Sequence, residues 1–238
     1  MFDFTDQVVI VTGGSGNLGS AVVRAFYAAN ARLIVPDRAL EKLPALFPEL
    51  VNSERHYLAV ATDPTQADAM ETLVQATLTR FGRIDILVNT VGGYRAGAPP
   101  HETPPEDWDF MLDLNARATF IMNRAVIPSM LAQGRGKIIN TLSKSALCAT
   151  ANDVAYSAAK SAAARITESM AAAYKNNGIN VNAIMPGTID TPQNRAARPQ
   201  ADSSKWVAPE AIAQVVLFLA SDAASIIHGA LIPVYGLS

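Results

Sequence analysis

Val8-Val9-Ile10-Val11-Thr12-Gly13-Gly14-Ser15-Gly16-Asn17-Leu18-Gly19 joins an apolar, β-branched run to a glycine-rich turn. Apolar residues then recur at helical spacing from Leu18 to Ala29. An unbroken apolar run suits a strand buried on both faces, as in a parallel sheet. Glycines in the turn let the backbone approach a phosphate, and the helix start offers unpaired N–H groups and the positive end of a dipole. Steric need alone also places glycine in tight turns, so the surroundings must decide. Asp37, 18 residues after Gly19, follows the second strand-like run, Arg32-Leu33-Ile34-Val35, which stops at Pro36-Asp37. A carboxylate there can accept from an adenosine ribose and repels a 2′-phosphate; it also suits a turn or helix cap before Ala39-Leu40. Arg38 beside it could pair with a 2′-phosphate, although the glycine loop itself holds no lysine or arginine. NAD(H) is therefore expected ahead of NADP(H).

Outward from this stretch the same rhythm continues. Strand-like runs fall at Tyr57–Ala61, Ile84–Val88, Lys137–Thr141, Ile179–Met185 and Leu231–Val234. Helical patterns lie between them, near Pro64–Arg80, Pro105–Leu131, Val154–Lys175 and Pro209–Ala220, several with proline in the first turn. Seven strands separated by helices imply right-handed crossovers and an α/β fold: a doubly wound, seven-stranded parallel sheet with helices on both faces. No linker divides the chain, so 1–238 is expected to be a single domain. Two stretches depart from the rhythm, Gly92–Pro105 and Thr188–Val207. Both follow strand ends, where such sheets place ligands. The second is long for a connection, and the spacing predicts a lid over a site at 188–207, or else a solvated loop.

Composition narrows the function. Of 238 residues, 50% are hydrophobic and 17% charged, enough for a substantial core and unlike a disordered chain. The one cysteine, Cys148, excludes an internal disulfide, and the three scattered histidines give no metal spacing, so no metal is expected. A net charge of −2 gives no reason to expect nucleic acid or an anionic membrane. No signal peptide or membrane-length apolar run is visible, which leads to the expectation of a cytoplasmic protein.

Tyr156-Ser157-Ala158-Ala159-Lys160 lies in a helical pattern, so Tyr156 and Lys160 share one face. Ser143 stands 13 residues earlier, just past a strand, and Asn115 lies in an earlier helical stretch. A tyrosine serving as general acid must release a proton near neutral pH, far below its usual pKa of about 10. A neighbouring ammonium favours the phenolate. Ser143 could donate to a substrate oxygen, and Asn115 could anchor a water. The structural alternatives are a buried tyrosine with a partner, a surface lysine, and capping roles for serine and asparagine.

Together these motifs resemble the short-chain dehydrogenase/reductase family from the glycine loop to about Gly236. The loop residues Gly13, Ser15, Gly16, Asn17, Leu18 and Gly19 resemble its cofactor loop, with Asp37 and Arg38 after the second strand and Asp63 at its adenine contact. Asn89 and Gly92 resemble its motif after the fourth strand, Asn115, Ser143, Tyr156 and Lys160 its catalytic tetrad, and Pro186, Gly187, Ile189 and Thr191 its nicotinamide segment. The resemblance implies a Rossmann-like fold and NAD(P)(H)-dependent interconversion of a small-molecule carbonyl and alcohol. Tyr156 would then be general acid/base, Lys160 would bind the nicotinamide ribose and lower the Tyr156 pKa, Ser143 would polarise the substrate, and Asn115 would hold a water. It also implies a homo-dimer or homo-tetramer, in keeping with the nine alanines of Val154–Tyr174.

The chain departs from the family pattern in three places: Asn17 replaces a usual glycine, Thr90-Val91 replaces Asn-Ala, and Val234-Tyr235-Gly236-Leu237 lacks the common Asp-Gly-Gly. Residues 190–206 locally resemble dihydropteridine reductases, which generally lack the tetrad serine; a quinonoid-substrate reductase is thus an alternative. Within this stretch Arg195 could bind an acidic substrate group and Trp206 could stack on a planar one, or both could be structural. A methyltransferase shares the glycine turn and acidic strand end but has no need of the Tyr156–Lys160 pair. A non-catalytic NAD(P)-binding sensor on the same scaffold is the third reading.

Overall fold

The computed structural model describes residues 2–38, 40–59 and 62–237. Its strands are β1 (Val8–Thr12), β2 (Arg32–Pro36), β3 (Tyr57–Ala59), β4 (Ile86–Asn89), β5 (Gly136–Thr141), β6 (Ile179–Pro186) and β7 (Leu231–Val234). They form one sheet in the order β3-β2-β1-β4-β5-β6-β7, with every neighbouring pair parallel. The expected seven-stranded, doubly wound sheet is therefore present among the described residues. Strand order reverses between β1 and β4, which opens a crevice at their carboxyl ends, where such folds bind ligands.

Alternation within β1 explains why its apolar run has no polar gap. Val9 and Val11 join one core with Val22, Val23 and Phe26 of α1 (Asn17–Ala28) and Ile212, Val216 and Leu219 of α8 (Pro209–Ala220). Val8 and Ile10 face the other core, with Met70 and Leu73 of α3 (Ala67–Phe81) and Met122 and Val126 of α5 (Ala118–Gln133). Ala171 of α6 (Val154–Tyr174) joins that second core. Both faces of the sheet are covered at its centre, so every position of β1, β4 and β6 is buried whichever way it points.

Sequence and structure differ at element ends and in three connections. The strand expected from Ile84 starts at Ile86 because the Asp85 carboxylate is buried and accepts from the Val8 N–H at 2.9 Å. Val60 and Ala61 of the expected third strand lie outside the described residues. The helix expected from Pro64 begins at Ala67; the Asp63 carboxylate instead accepts from Thr65 N–H and Oγ1, closing a turn before it. The stretch expected as one helix from Pro105 consists of α4 (Pro105–Met111), a π-helical segment Leu112–Arg117, and α5. After β2 the chain makes the short α2 (Leu43–Leu46), and between β6 and α8 the expected lid contains α7 (Pro192–Ala197).

Candidate active site

The glycine loop is held in a shape that only glycine satisfies at two of its positions. Gly13 has φ +71°, in the left-handed region. A Cβ on Gly19 would overlap the Gly13 carbonyl oxygen and come within 2.7 Å of Thr90 Oγ1, so the first turn of α1 lies directly against the loop. Thr90 Oγ1 in turn donates to the Thr12 carbonyl at 2.6 Å. Among the loop residues, Asn17 is exposed and Leu18 is buried in the core.

Asp37 is 9% exposed, and its carboxylate accepts from the Ser15 N–H at 3.0 Å, which ties the end of β2 to the loop. Thr12, Gly13, Ser15, Gly16, Asp37, Arg38, Thr62, Pro64, Val91 and Gly92 line one cavity at the β1/β4 crevice. Asp63 does not line it; its carboxylate is turned to Thr65. Burial opposes ionisation of Asp63, but the Thr65 bonds and the Arg38 charge prevail and hold its pKa below the ordinary carboxylate value. Asn89 is also set back from the cavity. Its Nδ2 donates to Asn123 Oδ1 at 2.7 Å and Asn140 Oδ1 at 2.8 Å, and its Oδ1 accepts from Thr12 Oγ1 at 3.4 Å. Asn89 thus fixes the strand ends beneath the loop instead of facing a ligand.

The second half of the site begins at the π-helical segment. The wider turn there places the buried Asn115 side chain back along its own helix, where Nδ2 donates to the Met111 carbonyl at 3.1 Å. The same amide donates to Gly93 O at 3.1 Å and accepts from Gly93 N–H at 3.2 Å, so it clamps the loop after β4. Gly92 is needed for space: a Cβ there would stand 3.0 Å from Asn115 Oδ1 and 3.2 Å from Lys160 Nζ.

Ser143, past the end of β5, stands near Tyr156, close enough for its hydroxyl to favour the phenolate. Tyr156 lies in the first turn of α6, and one helical turn later Lys160 Nζ stands 5.8 Å from its ring centroid. Lys160 is 4% exposed and donates to the Thr141 carbonyl at 3.0 Å. The four expected tetrad positions therefore share one end of the sheet, with Gly92 linking Asn115 to Lys160. Burial pushes the Lys160 pKa down to about 8. The Tyr156 pKa lies above its ordinary value, chiefly through burial, although the neighbouring Ser143 hydroxyl pulls the other way. Burial thus acts against the charged form of both members of the expected pair, and it dominates at Tyr156.

Pro186 ends β6, and the Gly187 N–H donates to Val234 O at 3.3 Å. Ile189 pairs with Val207 in a parallel bridge, so the 188–207 segment is pinned at its base. Thr191 caps α7 by accepting from the Asn194 N–H. Arg195 turns its guanidinium onto Asp190 at 2.6 and 2.7 Å, and Trp206 is half-buried. Asn17 Nδ2 donates to Gln193 Oε1 at 2.9 Å, joining the glycine loop to α7.

Three contributors had no periodic or motif signal in the sequence. Tyr94 packs edge-on against Tyr156 with centroids 4.8 Å apart, Asp153 buries its carboxylate at the start of α6, and Gln193 meets Asn17. Among the described residues no group of three or more His, Cys, Asp or Glu could hold a metal ion, and no helix is long and apolar enough to cross a membrane.

Comparison with known proteins agrees with this geometry. A family model described as short chain dehydrogenase matches residues 7–202. The chain is 34% identical to D-threitol dehydrogenase of Mycolicibacterium smegmatis, over 96% of this chain and 92% of that protein. It is 32% identical to cis-4-hydroxycyclohexanecarboxylate dehydrogenase of Sinomonas cyclohexanicum, covering 98% and 96%. The crystal structure of levodione reductase superposes with a TM-score of 0.89 at 31% identity, over 98% of this chain and 97% of that one.

Proposed function

The chain belongs to the short-chain dehydrogenase family, and from that premise we propose that it interconverts a secondary alcohol and a ketone with NAD(H). The observation that carries this reading is the Ser143–Tyr156–Lys160 group, assembled beside the crevice that the glycine loop lines. The crevice suits a dinucleotide: Gly13, Gly16 and Gly92 bring backbone without side chains to its wall, and a Cβ on Gly92 would crowd Lys160 and Asn115. Gly13, Ser15 and Gly16 would hold the pyrophosphate, Asp37 the adenosine ribose, and Lys160 the nicotinamide ribose. When bound, the nicotinamide supplies or takes up the hydride.

The protein's own part is proton transfer and orientation. In the reducing direction the Tyr156 hydroxyl gives its proton to the carbonyl oxygen as that oxygen gains charge; in the oxidising direction the phenolate takes it back. Ser143 donates to the same oxygen and fixes its place. Lys160, when charged, stabilises the phenolate, and Asn115 holds the Gly93 backbone over the pair. The 188–207 segment covers the cleft as a lid, latched at Asn17–Gln193. Because Arg195 is already paired with Asp190, it serves the lid's own shape more than a substrate anion. The presence of Ser143 beside Tyr156 favours carbonyl–alcohol chemistry over the quinonoid alternative.

The names of the two relatives quoted above place polyols and ring alcohols first in a substrate panel. Purified protein titrated with NADH and with NADPH, followed by turnover of that panel, tests the reading. NADH should bind more tightly, and Tyr156→Phe should abolish turnover while retaining NADH binding. Unchanged turnover in that variant refutes the mechanism, and binding without turnover of any alcohol or ketone favours a sensor.

A further inference from the structure

A buried carboxylate ties the segment after Ser143 to the start of the helix that carries Tyr156. Asp153 is 3% exposed and sits immediately before α6, three residues ahead of Tyr156. Its Oδ1 accepts from the Thr150 N–H at 2.8 Å and from Ser157 Oγ at 2.6 Å, while Oδ2 accepts from Ser145 Oγ at 3.2 Å. Ser145 in turn donates its N–H to Ser143 Oγ at 3.2 Å. A continuous chain of hydrogen bonds thus runs from Ser143 through Ser145 to Asp153 and into the first turn of the helix that carries Tyr156.

We propose that Asp153 is a positioning residue, which joins the turn after Ser143 to the first turn of α6 and so sets the Ser143–Tyr156 pair. Its catalytic meaning rests on the alcohol–ketone reading; its structural role does not. The Asp153 side chain makes no capping bond to the backbone of α6; its bonds come instead from Thr150, Ser157 and Ser145. The bond from Ser145 serves no capping purpose, and it lands on the segment that holds Ser143. Burial opposes the Asp153 charge, but the bonds from Ser157, Thr150 and Ser145 prevail and keep it ionised. That charge acts on Tyr156 in the opposite sense to Ser143: the serine hydroxyl favours the phenolate, and the nearby carboxylate disfavours it. Tyr156 also faces Tyr94 from the loop after β4 and Lys160 from its own helix. Arg95 and Asp107 line the cavity on the other side of Asp153, where they pair with each other at 2.9 Å.

Two substitutions separate the charge from the link. Asp153→Asn removes the charge and keeps an amide that can still hydrogen-bond to Ser145. Ser145→Ala keeps the charge and cuts the link. Protein labelled with [ζ-13C]tyrosine, with the Tyr156 resonance assigned by its loss in Tyr156→Phe, reports the Tyr156 titration directly and without any substrate. Asp153→Asn should lower the midpoint by about half a unit or more, as expected when a like charge nearby is removed. Ser145→Ala should raise it, because Ser143 is freed from Tyr156. On any alcohol that the wild type oxidises, Ser145→Ala should cut kcat about fivefold or more with little change in KM. An unmoved midpoint in Asp153→Asn, or a wild-type midpoint in Ser145→Ala, overturns the proposal. Should Asp153→Asn fail to fold, the Ser145→Ala midpoint decides alone. Absence of turnover in the wild type would count against the function and leave the NMR result standing.

Discussion

Lys160 carries a cost that can be read from stability alone. Replacing it by methionine, in a Tyr156→Phe background so that the tyrosine does not titrate, removes a buried ammonium of similar length. In the folded protein burial holds the Lys160 pKa at about 8, against 10.5 for the unperturbed side chain. Between those values the unfolded chain binds a proton that the folded one does not, so stability rises with pH across this window. At pH 7 the shift costs the fold about 3 kcal/mol, and at pH 9.5 about 1 kcal/mol, since 1.36 kcal/mol accompanies each unit. The methionine variant is free of that cost but loses the bond to the Thr141 carbonyl, a loss that hardly depends on pH. Urea unfolding of cofactor-free protein at both pH values gives the comparison. The difference in unfolding free energy between lysine and methionine proteins should move by about 2 kcal/mol in favour of lysine on going from pH 7 to pH 9.5. Parallel curves would show that Lys160 ionises normally in the fold and that its burial does not hold it near neutrality.

Other substitutions test the nucleotide half and the latch. Gly19→Ala drives a methyl into the Gly13 carbonyl and Thr90; NADH affinity should fall at least about tenfold and stability by about 1–3 kcal/mol, read by fluorescence titration and urea unfolding. Asp37→Ala should weaken NADH by about tenfold and narrow the gap to NADPH, whereas Arg38→Ala should weaken NADPH and spare NADH; equal effects on both cofactors would remove Asp37 as the selector. Asn17→Gly restores the glycine usual in the family loop and cuts the bond to Gln193. Stopped-flow displacement should then show NADH leaving a few times faster, and an unchanged rate would mean that α7 does not latch the bound state.

How far the sequence could be read depended on whether a feature repeats along the chain or arises from distant parts meeting. The β1 run and the helical spacing after it are local patterns, and they led to the right strand count and order of elements because a strand buried on both faces has no polar interruption to hide it. Tyr156 and Lys160 were legible for the same reason, since four residues on a helix make one turn. Strand and helix ends were less so: Asp85 carried no signal and Asp63 was read only as an adenine contact, and their partners, the Val8 N–H and Thr65, explain where β4 and α3 begin. The π-helical segment at Asn115 was hidden because a single extra residue in a turn barely disturbs the apolar spacing. Asp37 shows the limit most clearly, because its carboxylate reaches back to the glycine loop, a partner that neither the ribose nor the capping reading foresaw. One oxygen accepts from the Ser15 N–H while the residue lines the cavity, so the group that would select the cofactor also holds the loop that would bind it. Affinity and selectivity are therefore coupled at Asp37, and a change there should alter the loop as well as the choice of nucleotide.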